Sequence, residues 1–239
     1  MISLVLPFYN ESTRFHLFED GMQSYFATNK WIKELILVND GSTDNTIELL
    51  KNYQQKYQAI DCKIIDVQPN KGKGNAIKKG ILAATQPWIL CNDADFSYRP
   101  EQIDEWINNG WIDFNKTNAV YFGSRELGQD YYQMKLFLHR KIIGRIYAFF
   151  IQLITGITVR DTQCGFKMYE ANLAKKIFPN IQEERFAFDV EVHYLLKKEN
   201  ASINLLPVKC IDIEGSKVNL IKDSWQMFNA LFRIIKRHQ

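Results

Sequence analysis

Apolar residues gather in five short runs, ISLVLPF (2–8), ELILVN (34–39), CKIIDV (62–67), WILCN (88–92) and AVYFGS (119–124). Each is rich in Val, Ile, Leu or aromatic side chains, and each predicts a β-strand. Helical stretches separate the first four. Behind NDGSTDNT, Ile47, Leu49, Leu50 and Tyr53 fall at helical spacing, and the Ser, Thr and Asp cluster ahead of them is suited to cap the helix. A second such helix is expected from near Lys73 and a third from Pro100, since proline is tolerated in a first turn. This alternation predicts an α/β fold, a doubly wound and mostly parallel sheet with helices on both faces, whose ligands sit at the carboxyl ends of the strands. The polar endings YNES, NDGS and NDAD all follow such ends, after strands one, two and four, and should converge on one crevice.

After about residue 125 the pattern changes. Long apolar-rich helices (130–156) are expected, then a short strand near GFKMY, a helix around 186–198, a strand INLLPVKCIDI and a last helix from 219 to 238. With no internal repeat, low-complexity tract or long linker, the chain reads as one domain over 1–239. Residues 1–125 would form its ligand-binding half and 126–239 the half that selects a second substrate.

Composition narrows the function classes. Of 239 residues, 46% are hydrophobic and 24% charged, as in ordinary globular proteins, and a net charge of +3 is too small to imply nucleic-acid binding. Any basic function must be local. The cysteines Cys62, Cys91, Cys164 and Cys210 are scattered without a CxxC pair, which argues against a disulfide framework or zinc site and for a reducing compartment. The amino terminus lacks the features of a signal peptide, so a cytoplasmic location is expected. No window reaches the 18 or more uninterrupted apolar residues of a membrane span. The nearest, residues 142–157, carries Arg145, Gln152 and Thr155 and suits burial between layers or contact with a membrane surface. In the last segment Ile221, Trp225, Phe228, Phe232 and Ile235 share a helical face that ends in Arg233, Lys236, Arg237 and His238. Such a stripe fits an anionic membrane surface or the protein core equally well.

The chemistry concentrates where apolar runs stop. The run at 88–92 ends in Asp93 and Asp95, separated by Ala94. Alternate residues of an extended chain share a side, so both carboxylates can turn toward one hard cation. Magnesium or manganese suits the pair, because these ions take one or two protein carboxylates together with phosphate oxygens and water. A polar turn before Pro100 would read the same, so the neighbours decide. Tyr9, Asn10 and Glu11 have groups able to stack on a base and hydrogen-bond it. Asp40 stands at the second strand end, where a carboxylate can accept from a uracil N–H or ribose hydroxyl, and Gly41 allows a tight turn. NKGKGNA (70–76) combines Lys71 and Lys73 with small residues that let backbone N–H groups approach an anion, without Walker-loop spacing. Together these describe a nucleoside-diphosphate site.

In order over residues 1–125, PFYNE, NDGSTDNT, NKGKGNA, DAD and GSR resemble the family 2 glycosyltransferases of the GT-A fold. RDTQCGFKMY (160–169), FAFDVE (186–191) and EGSKVN (214–219) look like the dolichyl-phosphate β-glucosyltransferase branch of that family. The resemblance implies that Pro7, Tyr9, Glu11 and Asp40 contact the nucleoside with Lys73 close by, while Asp93 and Asp95, with Ala94 between them, hold Mg2+ or Mn2+ on the diphosphate. It implies that Arg125 and Arg140 engage an acceptor phosphate and that Lys217 approaches the phosphates. The reaction implied is metal-dependent, inverting transfer of a hexose, glucose from UDP-glucose, onto a polyprenyl or dolichyl phosphate, with peripheral association at the cytoplasmic face of a membrane.

A phosphate monoester, with a second pKa of about 6, is largely dianionic at neutral pH and needs no general base. An alcohol acceptor would need a carboxylate to take its proton. Asp161 and Asp189 are the candidates for that role, although a structural turn and a helix cap account for them as well. A GT-A enzyme acting on a sugar or protein hydroxyl is therefore the principal alternative. A nucleotidyltransferase would want a glycine-rich, arginine-bearing signature after strand one, and an inactive membrane scaffold has no use for an intact Asp93, Asp95 and basic set.

Overall fold

The computed structural model describes residues 1–28, 31–58, 60–133, 152, 161, 163–185, 187–211 and 230–238. Its strands are β1 (Ile2–Phe8), β2 (Ile32–Asp40), β3 (Asp61–Val67), β4 (Trp88–Cys91), β5 (Ala119–Ser124), β6 (Lys167–Glu170) and β7 (Ser202–Pro207). The helices are α1 (Phe15–Thr28), α2 (Thr46–Lys56), α3 (Lys73–Ala83), α4 (Gln102–Asn108), α5 (Arg125–Tyr132), α6 (Ala171–Ile177) and α7 (Phe188–Lys198), and residues 230–238 are also helical. All seven strands join one sheet in the order β3-β2-β1-β4-β6-β5-β7. β1 pairs in parallel with β2 and β4, β2 with β3, and β5 with β7. Only β6 is reversed, antiparallel to both β4 and β5. The mostly parallel sheet expected from the sequence is thus present, with one inversion that periodicity does not encode.

Alternation along the strands fills two cores. Leu4, Leu6 and Phe8 of β1 face Phe18 and Met22 of α1, Leu50 and Tyr53 of α2, and Ile103 and Trp106 of α4. Val5, with Ile36 and Val38 of β2, faces Ala76, Ile77 and Ile81 of α3, Ile177 of α6 and Val192 and Leu196 of α7. Both sheet faces are covered, which is why the strands read as continuous apolar runs rather than alternating ones. Each large side chain removed from water in these layers stabilises the fold by roughly 1.5–3 kcal/mol before chain entropy is counted.

The amino ends of the strands are clamped by a buried carboxylate. Glu34 accepts hydrogen bonds from Ser3 Oγ, from Lys63 Nζ at 2.5 Å, and from Thr85 through its N–H at 2.8 Å and its hydroxyl at 3.0 Å. Burial alone would raise its pKa, but these donors outweigh it and hold the carboxyl below its ordinary value. The clamp joins β1, β2, β3 and the α3–β4 connection at the end of the sheet opposite the polar strand endings.

Several element boundaries differ from the sequence reading. Pro100 lies in a turn, and α4 begins at Gln102, after Ile103 and Asp104 donate to the Pro100 and Glu101 carbonyls. β7 ends at Pro207, and the expected continuation contributes an isolated bridge between Tyr98 and Cys210. α5 starts five residues before the expected 130 and closes on Gln133 in the left-handed region at φ 53°. The rest of the expected 130–156 helices, except Gln152, lies outside the described residues, as do residues 212–229. No helix among the described residues is long and apolar enough to cross a membrane.

Candidate active site

The polar endings of β1 and β2 are joined by their own hydrogen bonds, and the ending of β4 meets them through Lys73 and Arg14. After β1, Asn10 turns into the left-handed region at φ 52° and its Oδ1 accepts from the Thr43 N–H at 2.8 Å. The N–H groups of Asn10, Glu11 and Ser12 donate to Ser42 Oγ, Thr46 Oγ1 and Asp44 Oδ2 at 3.0, 2.8 and 3.1 Å. The Ser, Thr and Asp cluster expected to cap α2 does so through Asp44, whose Oδ1 accepts from the Thr46 N–H at 3.0 Å, while the N-cap residue Asn45 makes no side-chain cap bond; the same cluster also sews the β1 and β2 endings together. Asp44 carries enough of these bonds that its pKa falls to about 2 despite the opposing cost of burial.

Asp40, at the end of β2, is 2% exposed and shapes the next loop. Its Oδ2 accepts from Asn70 Nδ2 and the Gly72 N–H, both at 2.7 Å, and its Oδ1 from the Lys71 N–H at 3.1 Å. The backbone N–H groups of NKGKG that sequence reasoning offered to an incoming anion are thus held by an internal one. Gly41 sits at φ 66°, and a Cβ there would lie 2.3 Å from the Asn70 nitrogen, so only glycine lets the two loops close.

That loop delivers Lys73, the first residue of α3, to the end of β4. Lys73 Nζ lies 2.5 Å from Asp93 Oδ1, and Arg14 NH1 lies 3.8 Å from Asp95 Oδ2. Asp95 Oδ1 accepts from the Ser97 N–H at 3.0 Å and Ser97 Oγ at 2.9 Å. Buried Asn92 shapes the turn, donating to the Tyr98 carbonyl at 2.7 Å and accepting from the Asp93 N–H at 2.8 Å. Asp93 Oδ2 sits against Gly165, where an added Cβ would approach it to 2.3 Å. Both carboxylates are partly exposed, at 29% for Asp93 and 21% for Asp95.

These residues fit a hard divalent cation. The donors are carboxylate oxygens, one of them in a cradle that a side chain at 165 would fill. Among the described residues no three His, Cys, Asp or Glu side chains gather into a preformed cage. The remaining ligands would therefore come from substrate and water, as magnesium and manganese allow.

Two further ion pairs flank this centre. Arg125, the first residue of α5, grips Asp161 with a fork, Nε to Oδ2 at 3.0 Å and NH2 to Oδ1 at 2.7 Å, while its N–H adds a third bond at 3.0 Å. Burial works against the Asp161 charge, but Arg125 prevails and keeps the carboxyl below its ordinary pKa. Lys167, the first residue of β6, lies 2.5 Å from Asp189 Oδ1, with the two side chains 3% and 6% exposed. Next to them His193 donates from Nδ1 to the Asp189 carbonyl at 2.7 Å and packs edge-on against Phe122. Burial, aided by the Lys167 charge, depresses its pKa to about 3, so the ring is neutral.

Of the residues singled out from sequence, Asp40, Lys73, Asp93 and Asp95 are linked through one loop, with Ala94 buried between the two acids. Glu11 faces them from the β1 ending, chelated by Arg14 at 3.0 and 2.8 Å. Pro7 is the penultimate residue of β1, and Tyr9 beyond it is 40% exposed. Arg140 and Lys217 lie outside the described residues. Arg14, Gly165 and Lys167 had no assigned role. A lysine inside an otherwise apolar strand and an arginine three residues after Glu11 were the available signals. In the basic carboxyl-terminal stretch Arg233, Arg237 and His238 are committed to protein carboxylates. Arg233 binds Glu183 at 2.8 Å, Arg237 binds Glu191 at 2.8 Å, and His238 Nε2 lies 2.7 Å from the same Glu191 oxygen. Ala230, Leu231 and Ile234 form the buried face there, whereas Phe232, placed in the expected apolar stripe, is 55% exposed.

Comparison with known proteins places these features in context. The family model described as glycosyl transferase family 2 matches residues 3–178. The chain is 32% identical to a dolichyl-phosphate β-glucosyltransferase of Dictyostelium discoideum, over 99% of this chain and 74% of that protein. It is 31% identical to a Saccharomyces cerevisiae protein of the same name, over 96% and 72%. Among solved structures, glucosyl-3-phosphoglycerate synthase from Mycobacterium tuberculosis in complex with Mn2+, UDP-glucose and phosphoglyceric acid superposes with a TM-score of 0.65 at 14% identity, covering 99% of this chain and 79% of that one. Mannosyl-3-phosphoglycerate synthase from Rubrobacter xylanophilus gives 0.67 at 15% identity, covering 100% and 73%. These two share the fold, that of the GT-A glycosyltransferases.

Proposed function

The chain belongs to glycosyl transferase family 2, and on that premise we propose that this glycosyltransferase moves glucose from UDP-glucose to a polyprenyl phosphate of the dolichyl type, with Mg2+ or Mn2+ and with inversion at the anomeric carbon. The donor and acceptor follow what the relatives of 30% identity and above are named for and what the solved glucosyl transferase was crystallised with. In this reading residues 1–125 hold the nucleotide sugar and residues 126–239 the acceptor, within a single domain. Association with the cytoplasmic face of a membrane would be peripheral.

Asp93 and Asp95 would hold the cation, which supplies charge stabilisation to the departing nucleoside diphosphate. Tyr9, Pro7 and Glu11 line the side where a nucleoside would lie, Asp40 fixes the loop beneath it, and Lys73 adds positive charge beside the diphosphate. Glu11, Asp40 and Asp95 are already oriented by hydrogen bonds to their own surroundings. Arg125, Arg140 and Lys217 are assigned to the acceptor phosphate and its approach.

One observation carries the choice of a phosphate acceptor over a hydroxyl. The two carboxylates singled out as candidate general bases are engaged elsewhere: Asp161 in the Arg125 fork, and Asp189 in a buried pair with Lys167. A phosphate nucleophile arrives already ionised and needs neither. The test incubates the protein and Mg2+ or Mn2+ with radiolabelled UDP- and GDP-sugars and a short polyprenyl phosphate. Label is expected in the organic phase from UDP-glucose, and Asp95→Ala is expected to abolish it. Absence of lipid label with every donor, together with label on hydroxyl acceptors, would overturn the proposal.

A further inference from the structure

Lys73 has a second use at this centre. Its ammonium lies 2.5 Å from Asp93 Oδ1, and the other oxygen, Oδ2, faces Gly165, where a Cβ would approach it to 2.3 Å. Asp93 therefore has one oxygen paired with an ammonium and the other beside the space that a side chain at 165 would fill. Asp95 keeps Ser97 on Oδ1 and meets Arg14 only at 3.8 Å, and that arginine is already forked onto Glu11. With Lys73 in place, the two aspartates offer a cation one net negative charge instead of two. A dication and an ammonium on one carboxylate repel each other, so one must yield.

The surroundings favour a lysine that can leave. Lys73 stands at the first position of α3, behind a glycine at φ 112°, and its side chain is 26% exposed. An ammonium on a flexible stem can turn to a new acceptor without moving the backbone. The neighbouring lysine, Lys167, is by contrast sealed against Asp189. Against the cost of burial, Asp93 with Asp189 and Asp95 holds the ammonium in place, so only a group of higher negative charge draws it away.

We propose that Lys73 is the resident counter-ion of Asp93 in the substrate-free enzyme, and that the incoming diphosphate draws it away and opens Asp93 to the divalent cation. This inference rests on the metal and nucleotide reading given above. Its consequence is thermodynamic coupling: the cation binds weakly alone and tightly with the diphosphate, because the diphosphate removes the competitor. By reciprocity the cation tightens diphosphate binding by the same factor.

The experiment measures Mn2+ binding directly, from the electron paramagnetic resonance signal of free Mn2+, with and without UDP. It uses the full chain as wild type, Lys73→Met, Lys73→Arg and Asp95→Asn, each first checked for cooperative thermal unfolding. Lys73→Met is expected to bind Mn2+ without UDP about tenfold more tightly than wild type, an order-of-magnitude figure for removing one adjacent charge. The enhancement that UDP gives to Mn2+ binding should shrink by a similar factor. Lys73→Arg keeps the charge and should stay within about twofold of wild type, the range left for changed geometry. Unchanged or weaker Mn2+ binding by Lys73→Met without UDP overturns the inference, as does equal tightening by Met and Arg. If instead wild type with UDP binds Mn2+ no better than Asp95→Asn, the metal site itself is wrong, a failure distinct from that of Lys73.

Discussion

A single methyl group separates a working Asp93 from a displaced one. Gly165→Ala would bring a carbon to 2.3 Å from Asp93 Oδ2, so the carboxylate must swing. Displacement of a reacting centre's support by about 1 Å costs on the order of 100-fold in rate, and kcat/KM for glycosyl transfer is expected to fall by about that factor while the thermal midpoint moves little. His193 gives a prediction on stability. Its pKa drops from the ordinary 6.5 to about 3 in the fold. Between those values the unfolded chain takes up a proton that the folded chain refuses. Stability from this group is therefore complete above about pH 6.5, declines as pH falls, and levels off near pH 3, at up to about 1.4 kcal/mol per pH unit. Denaturant titrations of wild type and His193→Phe across this window should show a flatter dependence in the variant. An identical slope would assign the acid sensitivity to other groups.

Among the elements, the Glu34 clamp joins three strands far from the chemistry. Glu34→Ala strips an acceptor from Ser3, Thr85 and Lys63. Because Lys63 is 38% exposed and regains water, the expected loss is about 2–3 kcal/mol, below the cost of orphaning a fully buried charge. Transfer activity at a permissive temperature should be unchanged, which urea unfolding and the lipid assay would check together. The elements themselves were largely legible. β1 and β5 coincide with the runs ISLVLPF and AVYFGS, and α3 begins at Lys73 as expected, because burial on both faces leaves an unbroken apolar pattern. The direction of β6 was not legible, since a four-residue run reads alike in either sense and its partners are remote in sequence. The same remoteness hid Gly165 and Lys167. Asp93 and Asp95 stood out as acids ending an apolar run, but nothing local announces that Asp161 will be taken by Arg125 or that Glu191 will be taken by Arg237 and His238.

At the scale of the molecule, the reversed strand sets an order of assembly. β6 runs against its neighbours, so its beginning lies at the edge of the sheet where β4 ends, with Lys167 opposite Cys91. The segment that brings Gly165 to Asp93 thus joins the sheet from the active edge, between two strands that precede it in the chain. β1, β2 and β3 are linked by successive short crossovers, whereas β6 must close long loops to reach β4 and β5, and contacts remote in sequence form more slowly. Pulse-labelled hydrogen exchange during refolding is expected to protect the amides of β1 and β2 before those of β5 and β6, and simultaneous protection would refute this order. A partly folded chain would then already own the joined endings of β1 and β2 while lacking the wall behind Asp93, so a late-joining strand is also the one that finishes the surroundings of that carboxylate.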